Sequence, residues 1–114
     1  MKIHYLEIVT EDVDAVCTAY SKANGLHFGE PDAGLGNART AALPGGGLVG
    51  VRAPLHETEQ PVVRPYWLVD DIEAAWTAAL EAGAEAAHPP LEIPGHGTFA
   101  IYLQGGVHHG LWQI

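Results

Sequence analysis

The sequence predicts an α+β fold in which tandem βαβββ modules form a curved, cup-like mixed sheet with the helices on its outer side. Three observations predict this fold. The second half of the chain repeats the first, each half opens with a strand and an amphipathic helix, and each half closes with strands joined by Gly-rich turns. A chain of 114 residues suffices for one core but not for two independent domains. We therefore expect one domain at 1–114, with module one at 1–54, a linker at about 55–61 and module two at 62–114.

The internal repeat becomes visible when the chain is shifted against itself so that Tyr5 falls on Arg64 and Pro31 on Pro90. In this register Asp12 meets Asp71. A shift that is one residue longer aligns LPGGGLVGVR in the first half with LQGGVHHGLW in the second. The near-constant offset favours duplication of one module over chance similarity between alanine-rich segments.

Each module begins with an alternating strand, IHYLEIV or VRPYWLV, that leads to an Asp at the expected helix N-cap, Asp12 or Asp71. Apolar residues then recur at helical spacing and predict the core-facing stripes: Val13, Val16, Cys17 and Tyr20 in one helix, and Ile72, Ala75, Trp76 and Ala79 in the other. Further strands are predicted around 38–43, 48–53, 98–103 and 107–114. The Gly- and Pro-containing segments between them are predicted as turns or loops, which places His27, His56, His88 and His96 outside the strands.

Charge and composition exclude several classes of partner. Five Lys and Arg residues stand against fourteen Asp and Glu, a net charge of −9, so the chain would repel nucleic acid. No stretch approaches the roughly 20 apolar residues that span a bilayer, and the N-terminal residues do not resemble a secretion signal. The lone Cys17 cannot form an internal disulfide, which agrees with a reducing compartment. We expect a cytoplasmic protein with no nucleic-acid or membrane partner.

Three motifs in the second half are specific enough to suggest a family: VDD before the helix, PGHG between the later strands, and GLWQ near the end. Together with the two modules, they resemble a poorly characterised bacterial subgroup of the vicinal-oxygen-chelate superfamily, which includes glyoxalases, dioxygenases and bleomycin resistance proteins. The resemblance covers nearly the whole chain. It implies a cup-shaped sheet, in which some members hold a catalytic metal ion and others bind a drug without chemistry.

The resemblance also implies where metal ligands would lie, namely on the first and last strands of each module. These positions correspond to Tyr5, Gly50, Arg64 and Gly110 in this sequence. None is a usual donor to a divalent cation, so we expect no metal and no other cofactor. His108 and His109 are adjacent on a predicted strand and point to opposite faces, so they cannot chelate one ion together. The two glycines are interpreted as leaving room for a flat ligand.

Strand alternation, counted from Tyr5, predicts which side chains line the cup and which face the helices. His4, Leu6 and Ile8 are expected on the helix side. The expected ligand-binding residues in the cup are Tyr5, Glu7, Leu48, Arg52, Arg64, Tyr66, His108 and Trp112. The alternative is that the cup is shallow and these residues form a solvated sheet face.

The favoured function is that of a metal-free protein that binds a small, partly aromatic organic molecule in the cup. The alternative is a lyase, isomerase or dioxygenase-type enzyme, either metal-dependent if the ligand mapping is wrong, or metal-free with Glu7 as base and His108 as acid. In the metal-free enzyme Arg52 or Arg64 would hold an anionic group of the substrate. Glu7 is equally suited to pairing with one of these arginines or to recognising a cationic ligand. Exposed sheet edges also favour a homodimer, and a non-catalytic interaction module is a third possibility.

Overall fold

The computed structural model describes residues 1–114. It contains two α-helices, a short 3₁₀ helix (Ala33–Leu35) and seven strands in one mixed sheet of order β2-β3-β1-β4-β7-β6-β5. The elements are β1 (Lys2–Val9), α1 (Val13–Asn24), β2 (Arg39–Ala42), β3 (Leu48–Arg52), β4 (Val62–Leu68), α2 (Ile72–Glu81), β5 (Glu85–Ile93), β6 (Gly97–Gln104) and β7 (Val107–Gln113). The predicted α+β fold is confirmed.

The chain divides into two compact units. The N-terminal unit contains Tyr5–Val63, and the C-terminal unit contains Met1–His4 together with Arg64–Ile114. In the N-terminal unit β1 runs parallel to β3, which pairs with β2 in the antiparallel sense. In the C-terminal unit β4 runs parallel to β7, and β6 pairs antiparallel with both β7 and β5.

Helix α1 begins and ends where the sequence predicts. It starts after Asp12, although the Asp12 side chain makes no capping hydrogen bond, and it ends at Gly25, whose left-handed backbone (φ 68°) lets its N–H donate to the Ser21 carbonyl. Its apolar stripe packs on one face of the sheet of the N-terminal unit. The residues of this core are Leu6, Ile8, Val13, Val16, Cys17, Tyr20, Leu26, Phe28, Ala41, Leu43, Val49 and Val51. Leu6 and Ile8 therefore face the helix, as predicted.

Helix α2 is held at its N-terminus by two side chains. Asp71 Oδ1 accepts a hydrogen bond from the Ala74 N–H at 3.1 Å, and Gln113 Oε1 accepts one from the Ile72 N–H at 2.8 Å. These contacts satisfy two of the N–H groups that a helix start leaves without partners. The core below the helix consists of Trp67, Val69, Ile72, Ala75, Trp76, Ala100, Tyr102 and Leu111.

Strand β5 corrects one prediction, because the segment expected to be a loop forms a nine-residue edge strand. His88 consequently lies in a strand. Pro89 and Pro90 are tolerated because an edge strand needs hydrogen bonds on one side only, and the ladder slips between Ala86 and His88 and between His88 and Leu91. In the N-terminal unit, the segment after the helix contains the 3₁₀ helix and an isolated bridge between Asp32 and Ala38 instead.

Neither helix is long and apolar enough to cross a membrane.

Candidate functional site

The residues predicted to line the cup lie on four strands, two in each unit. In the N-terminal unit Tyr5 and Glu7 are on β1, and Leu48 and Arg52 are on β3. In the C-terminal unit Arg64 and Tyr66 are on β4, and His108 and Trp112 are on β7. Six are buried, with 3–7% of their surface exposed: Tyr5, Glu7, Arg52, Arg64, Tyr66 and Trp112. Leu48 is half-buried and His108 is exposed. Burial to this degree does not fit a solvated sheet face.

Arg52 is the centre of a buried ionic triad in the N-terminal unit. Its Nε donates to Glu7 Oε2 at 2.9 Å, while Nη1 and Nη2 donate to the two carboxylate oxygens of Glu59 at 2.8 and 2.7 Å. Nη1 also donates to the Ala53 carbonyl at 3.2 Å. Arg52 therefore binds carboxylates of its own chain, which corrects the hypothesis that it holds a substrate anion. Of the roles proposed for Glu7, the structure supports ion pairing with Arg52.

Glu59 lies in the linker and was missed by the sequence analysis. Besides holding Arg52, its Oε1 accepts a hydrogen bond from the Leu55 N–H at 2.8 Å, so the segment folds back on the end of β3. The hydrogen bonds from Arg52 lower the pKa of Glu59 to about 2, against the opposing effect of burial. No pattern distinguishes Glu59 from the neighbouring exposed Glu57. Only the tertiary contact reveals its role.

The depressed pKa of Glu59 predicts a specific acid sensitivity. A carboxyl group whose pKa falls on folding contributes stability above its ordinary value, 4.5 here, and loses that contribution as the pH falls towards about 2. Glu59→Gln should therefore reduce the free energy of unfolding at pH 7 and flatten its dependence on pH between 4.5 and 2. Urea denaturation across this range measures both effects. Glu57→Gln is the control, and equal pH slopes for the two variants would contradict the assignment.

The glycines on the sheet floor are covered by tyrosine rings. A Cβ atom at Gly50 would overlap the Tyr5 hydroxyl and lie 2.5 Å from its Cζ, and one at Gly110 would overlap the Tyr66 ring and lie 2.5 Å from its Cγ. The absent side chains thus make room for the protein's own aromatic groups. This corrects the interpretation that Gly50 and Gly110 leave space for a flat ligand.

An aromatic cluster, formed by Tyr66, His88, Phe99 and Trp112, occupies the sheet of the C-terminal unit. The Trp112 ring meets the Tyr66 ring edge-on at 5.6 Å between centroids. The Phe99 ring lies 6.3 Å from both Trp112 and Tyr66, and His88 stacks on it at 4.7 Å. Trp112 is oriented by a 2.9 Å hydrogen bond from Nε1 to the His96 carbonyl. His88 was not predicted here, because its segment was expected to be a loop. Phe99 lies in a predicted strand opposite Trp112, but the sequence analysis assigned it no role.

His4 also departs from its predicted place. Its ring lies 5.6 Å from that of Trp112, so it belongs with the aromatic residues of the C-terminal unit and not with the core of α1. Strand β1 supplies its first residues to one unit and its later residues to the other. The alternation counted from Tyr5 therefore holds for Leu6 and Ile8 but not for His4.

Arg64 and His108 form the polar part of the C-terminal unit's strand face. Arg64 Nη2 lies 3.1 Å from His108 Nδ1. Since a guanidinium only donates, Nδ1 accepts and the ring proton is on Nε2. Loss of solvent around the ring, and then the charges of Arg64 and His109, lower the pKa of His108. His108 is therefore neutral at pH 7, which does not favour its predicted role as a general acid.

The residues at the superfamily's metal positions do not fit a divalent cation. Burial, reinforced by the charge of Glu7, raises the pKa of the Tyr5 phenol and keeps it protonated. Arg64 is a permanent cation, and the two glycines lie under aromatic rings. Across residues 1–114, no group of three or more His, Cys, Asp or Glu side chains is arranged to hold a metal ion.

Comparison with known proteins finds similarity at the level of structure. No family model matches the sequence, and no curated protein matches it. Methylmalonyl-CoA epimerase from Mycobacterium tuberculosis superimposes with a TM-score of 0.76 at 18% identity, covering 97% of this chain and 86% of that one. A glyoxalase/bleomycin resistance protein/dioxygenase superfamily member from Vibrio splendidus gives 0.69 at 14% identity, covering 96% and 97%.

A further similar structure contains a ligand. The Streptomyces coelicolor methylmalonyl-CoA epimerase, in complex with 2-nitronate-propionyl-CoA, superimposes with a TM-score of 0.67 at 16% identity, covering 99% of this chain and 96% of that one. Identities of this size establish a shared architecture and leave activity open. Combined with the strand order and the two helices, these similarities show that the chain has the fold of the vicinal-oxygen-chelate superfamily.

Proposed function

We propose that the protein binds a small, partly aromatic organic anion without a metal ion, on the strand face of the C-terminal unit. The observation that carries this proposal is the aromatic cluster on the same sheet as the Arg64–His108 pair. Arg64 and Tyr66 are two residues apart on β4, and His108 and Trp112 are four apart on β7, so alternation places them on one face. Small-molecule sites commonly combine an apolar wall with a few polar groups in this way.

Each part of this face has a distinct role in the proposal. Phe99 and His88 are half-buried, so their stacked rings supply the accessible apolar surface. Tyr66 meets Phe99 edge-on and Trp112 lies tilted against it, so both rings support this surface. Arg64 supplies a fixed positive charge, and the Nε2–H of neutral His108 supplies a directional donor. The preferred ligand therefore has a planar ring and an anionic group.

Binding is favoured over acid–base catalysis by the state of the two catalytic candidates. Glu7 is buried and bound to Arg52, an arrangement that orients the arginine and withholds the carboxylate from a substrate. His108 has its Nδ1 occupied by Arg64. The residues at the family's metal positions do not fit a metal ion, which supports a metal-free site.

Arg64 variants provide the test of this proposal. The protein is titrated with a panel of aromatic carboxylates and natural products, and binding is measured by calorimetry and by Trp112 fluorescence. The fluorescence is recorded in a Trp67→Phe, Trp76→Phe background, so that Trp112 is the only tryptophan. At least one compound of the panel should bind. Arg64→Gln should weaken its binding by about ten- to a hundred-fold, the value of a charge-assisted hydrogen bond in a buried site.

The Arg64 experiment needs two controls. Lys2→Gln makes the same change in net charge at an exposed position of β1. If Arg64→Gln does not fold, Arg64→Lys replaces it, because lysine retains the charge but not the planar guanidinium. Circular dichroism confirms folding. The proposal would be contradicted if no compound of the panel bound, or if Arg64→Gln and Lys2→Gln bound the ligand with equal affinity.

An isomerase-type enzyme is the second candidate, and the observation favouring it is the fold shared with methylmalonyl-CoA epimerases. Incubation with methylmalonyl-CoA in D₂O should place deuterium at the carbon between the carbonyl groups if the protein catalyses epimerisation. Elemental analysis of protein purified without added metal distinguishes a metal-dependent enzyme from a metal-free binding protein. A stoichiometric transition metal would overturn the metal-free proposal and favour a metal-dependent isomerase, lyase or dioxygenase.

We also propose that the protein is a cytoplasmic homodimer. The outer edges of the sheet are β2 and β5. Pro89 and Pro90 interrupt hydrogen-bond donation from β5, so β2 is the edge better suited to pairing between subunits. Analytical ultracentrifugation measures the mass directly.

A further inference from the structure

A cavity of about 370 Å³ lies in the N-terminal unit, away from the residues assigned above. One wall is the second half of α1 and the other is formed by the segment that follows the helix and by the start of β2. Its lining consists of Cys17, Thr18, Ser21, Lys22, Leu26, His27, Phe28 and Arg39.

We propose that this cavity is a second binding site, for a small organic molecule with an apolar body and an oxyanion head such as a phosphate or carboxylate. Its floor is apolar, because Cys17 and Leu26 are buried and Phe28 is half-buried in the core of α1. Its walls are polar and basic, with two hydroxyl groups, an imidazole, an ammonium and a guanidinium. The body would lie on the floor and the oxyanion between the cations.

The concentration of positive charge at this cavity is the first argument for an anionic ligand. The chain carries a net charge of −9 and only five Lys and Arg residues, and Lys22 and Arg39 both line this one cavity. Lys22 is exposed and makes no salt bridge. Arg52, in contrast, has its guanidinium committed to Glu7 and Glu59.

Arg39 is held in position while its charge remains weakly neutralised. Its Nε donates to the Gly29 carbonyl at 3.0 Å, and Nη1 donates to Asp14 Oδ1 at 2.9 Å. The Asp14 side chain is 89% exposed, so solvent screens that pair and it is worth little. The guanidinium is thus fixed by the backbone contact and can still attract a ligand oxyanion.

The other module supplies the second argument, because it lacks the features that make this cavity. In the repeat register Cys17 corresponds to Trp76, Ser21 to Leu80, Lys22 to Glu81 and His27 to Ala86. Trp76 packs into the core of the C-terminal unit, so an indole stands there where the N-terminal unit has a small thiol. The basic residues are replaced by an acidic and an apolar one. The cavity and its charge therefore do not follow from the module's architecture alone.

The position of the cavity along α1 determines which groups must do the binding. It lies beside the last turns of the helix, where the backbone dipole favours cations and opposes anions. Recognition of an oxyanion here therefore depends on the side chains of Lys22 and Arg39, with the Thr18 and Ser21 hydroxyls as donors. Loss of one cation should have a large effect on affinity.

Titration with phenyl phosphate, with benzoate and inorganic phosphate as separate arms, tests the proposal on the whole chain. Phenyl phosphate or benzoate is expected to shift the backbone NMR signals of Thr18, Ser21 and Leu26, and Lys22→Gln should weaken this binding by about five- to tenfold. Ser21→Leu introduces the residue of the other module without changing the charge. It should abolish binding by filling the wall.

Two comparisons make the result decisive. Lys2→Gln should leave the affinity within about twofold of the parent, since it changes the net charge equally and lies outside the cavity. Arg64→Gln should leave these NMR shifts intact, so that failure of the site proposed above is distinguishable from failure of this one. The proposal is overturned if neither aromatic probe binds at 17–28, if Lys2→Gln and Lys22→Gln weaken binding equally, or if inorganic phosphate binds as tightly as phenyl phosphate.

Discussion

An Arg52→Gln variant is expected to lose about 3–5 kcal/mol of folding free energy, the cost of breaking a buried ion pair. The substitution removes the cation that bridges Glu7 and Glu59 and leaves both carboxylates with little solvent around them. The side chains of Arg52, Glu7 and Glu59 are 6%, 9% and 15% exposed. Urea denaturation at pH 7 measures the loss.

Arg39→Gln is the matched control for this prediction. It removes the same charge from a salt bridge with an equally short distance of 2.9 Å, but the partner Asp14 is 89% exposed, so the expected cost is under about 1 kcal/mol. Replacing the whole triad, as Arg52→Met with Glu7→Leu and Glu59→Leu, should recover most of the loss, because none of the three buried charges of the triad is then left without its partner. Equal losses in Arg52→Gln and Arg39→Gln would show that the triad is not buried as described.

Gly50→Ala is expected to destabilise the protein by about 1–3 kcal/mol, as overpacking of a close-packed interior does. The added methyl group would overlap the Tyr5 hydroxyl, and Tyr5 is only 3% exposed and has little space to move. The sign of this stability change is informative, because a Gly→Ala change in an unstrained conformation normally stabilises a protein by about 0.4–1 kcal/mol, since it lowers the conformational entropy of the unfolded chain. Thermal denaturation monitored by circular dichroism measures the change.

Gly29→Ala provides the comparison, because its new Cβ would lie 4.0 Å from the Thr40 carbonyl oxygen and its backbone is not left-handed. This variant should match or exceed the parent in stability. Combining Gly50→Ala with Tyr5→Leu should recover part of the loss, which a double-mutant cycle would register as coupling between the two positions. Additive losses in that cycle would exclude the tyrosine as the cause.

The elements that sequence reasoning placed correctly are those whose signals are local. The alternation of β1, the apolar spacing of α1 and α2, and the caps at Gly25 and Asp71 depend on residues within one or two turns of each other. Strand β5 was missed because its two consecutive prolines normally mark a loop. They are permitted only by its position at the sheet edge, which sequence alone does not reveal.

In the candidate site too, the features that depend on local sequence were predicted and those that depend on tertiary contacts were not. Alternation predicted that Glu7 and Arg52 lie on one face of the strands of the N-terminal unit, where they form an ion pair, and that Arg64 and Trp112 share a strand face in the C-terminal unit. The partners of these residues were not identified. Glu59 reaches Arg52 from the linker, and His88 stacks on Phe99 across the edge pair, whose ladder slips on either side of His88, so both contacts depend on tertiary structure.

The bond between Glu59 and Arg52 has a consequence for any dissection of the chain. The predicted linker supplies a counter-charge inside the N-terminal unit, Tyr5–Val63. A fragment that ends before Glu59 would keep Arg52 but lose the carboxylate that binds it through two hydrogen bonds, so its interior would hold an incompletely neutralised arginine. A flexible Gly–Ser spacer in place of the linker would create the same defect, so the linker is required for its charge as well as for its length.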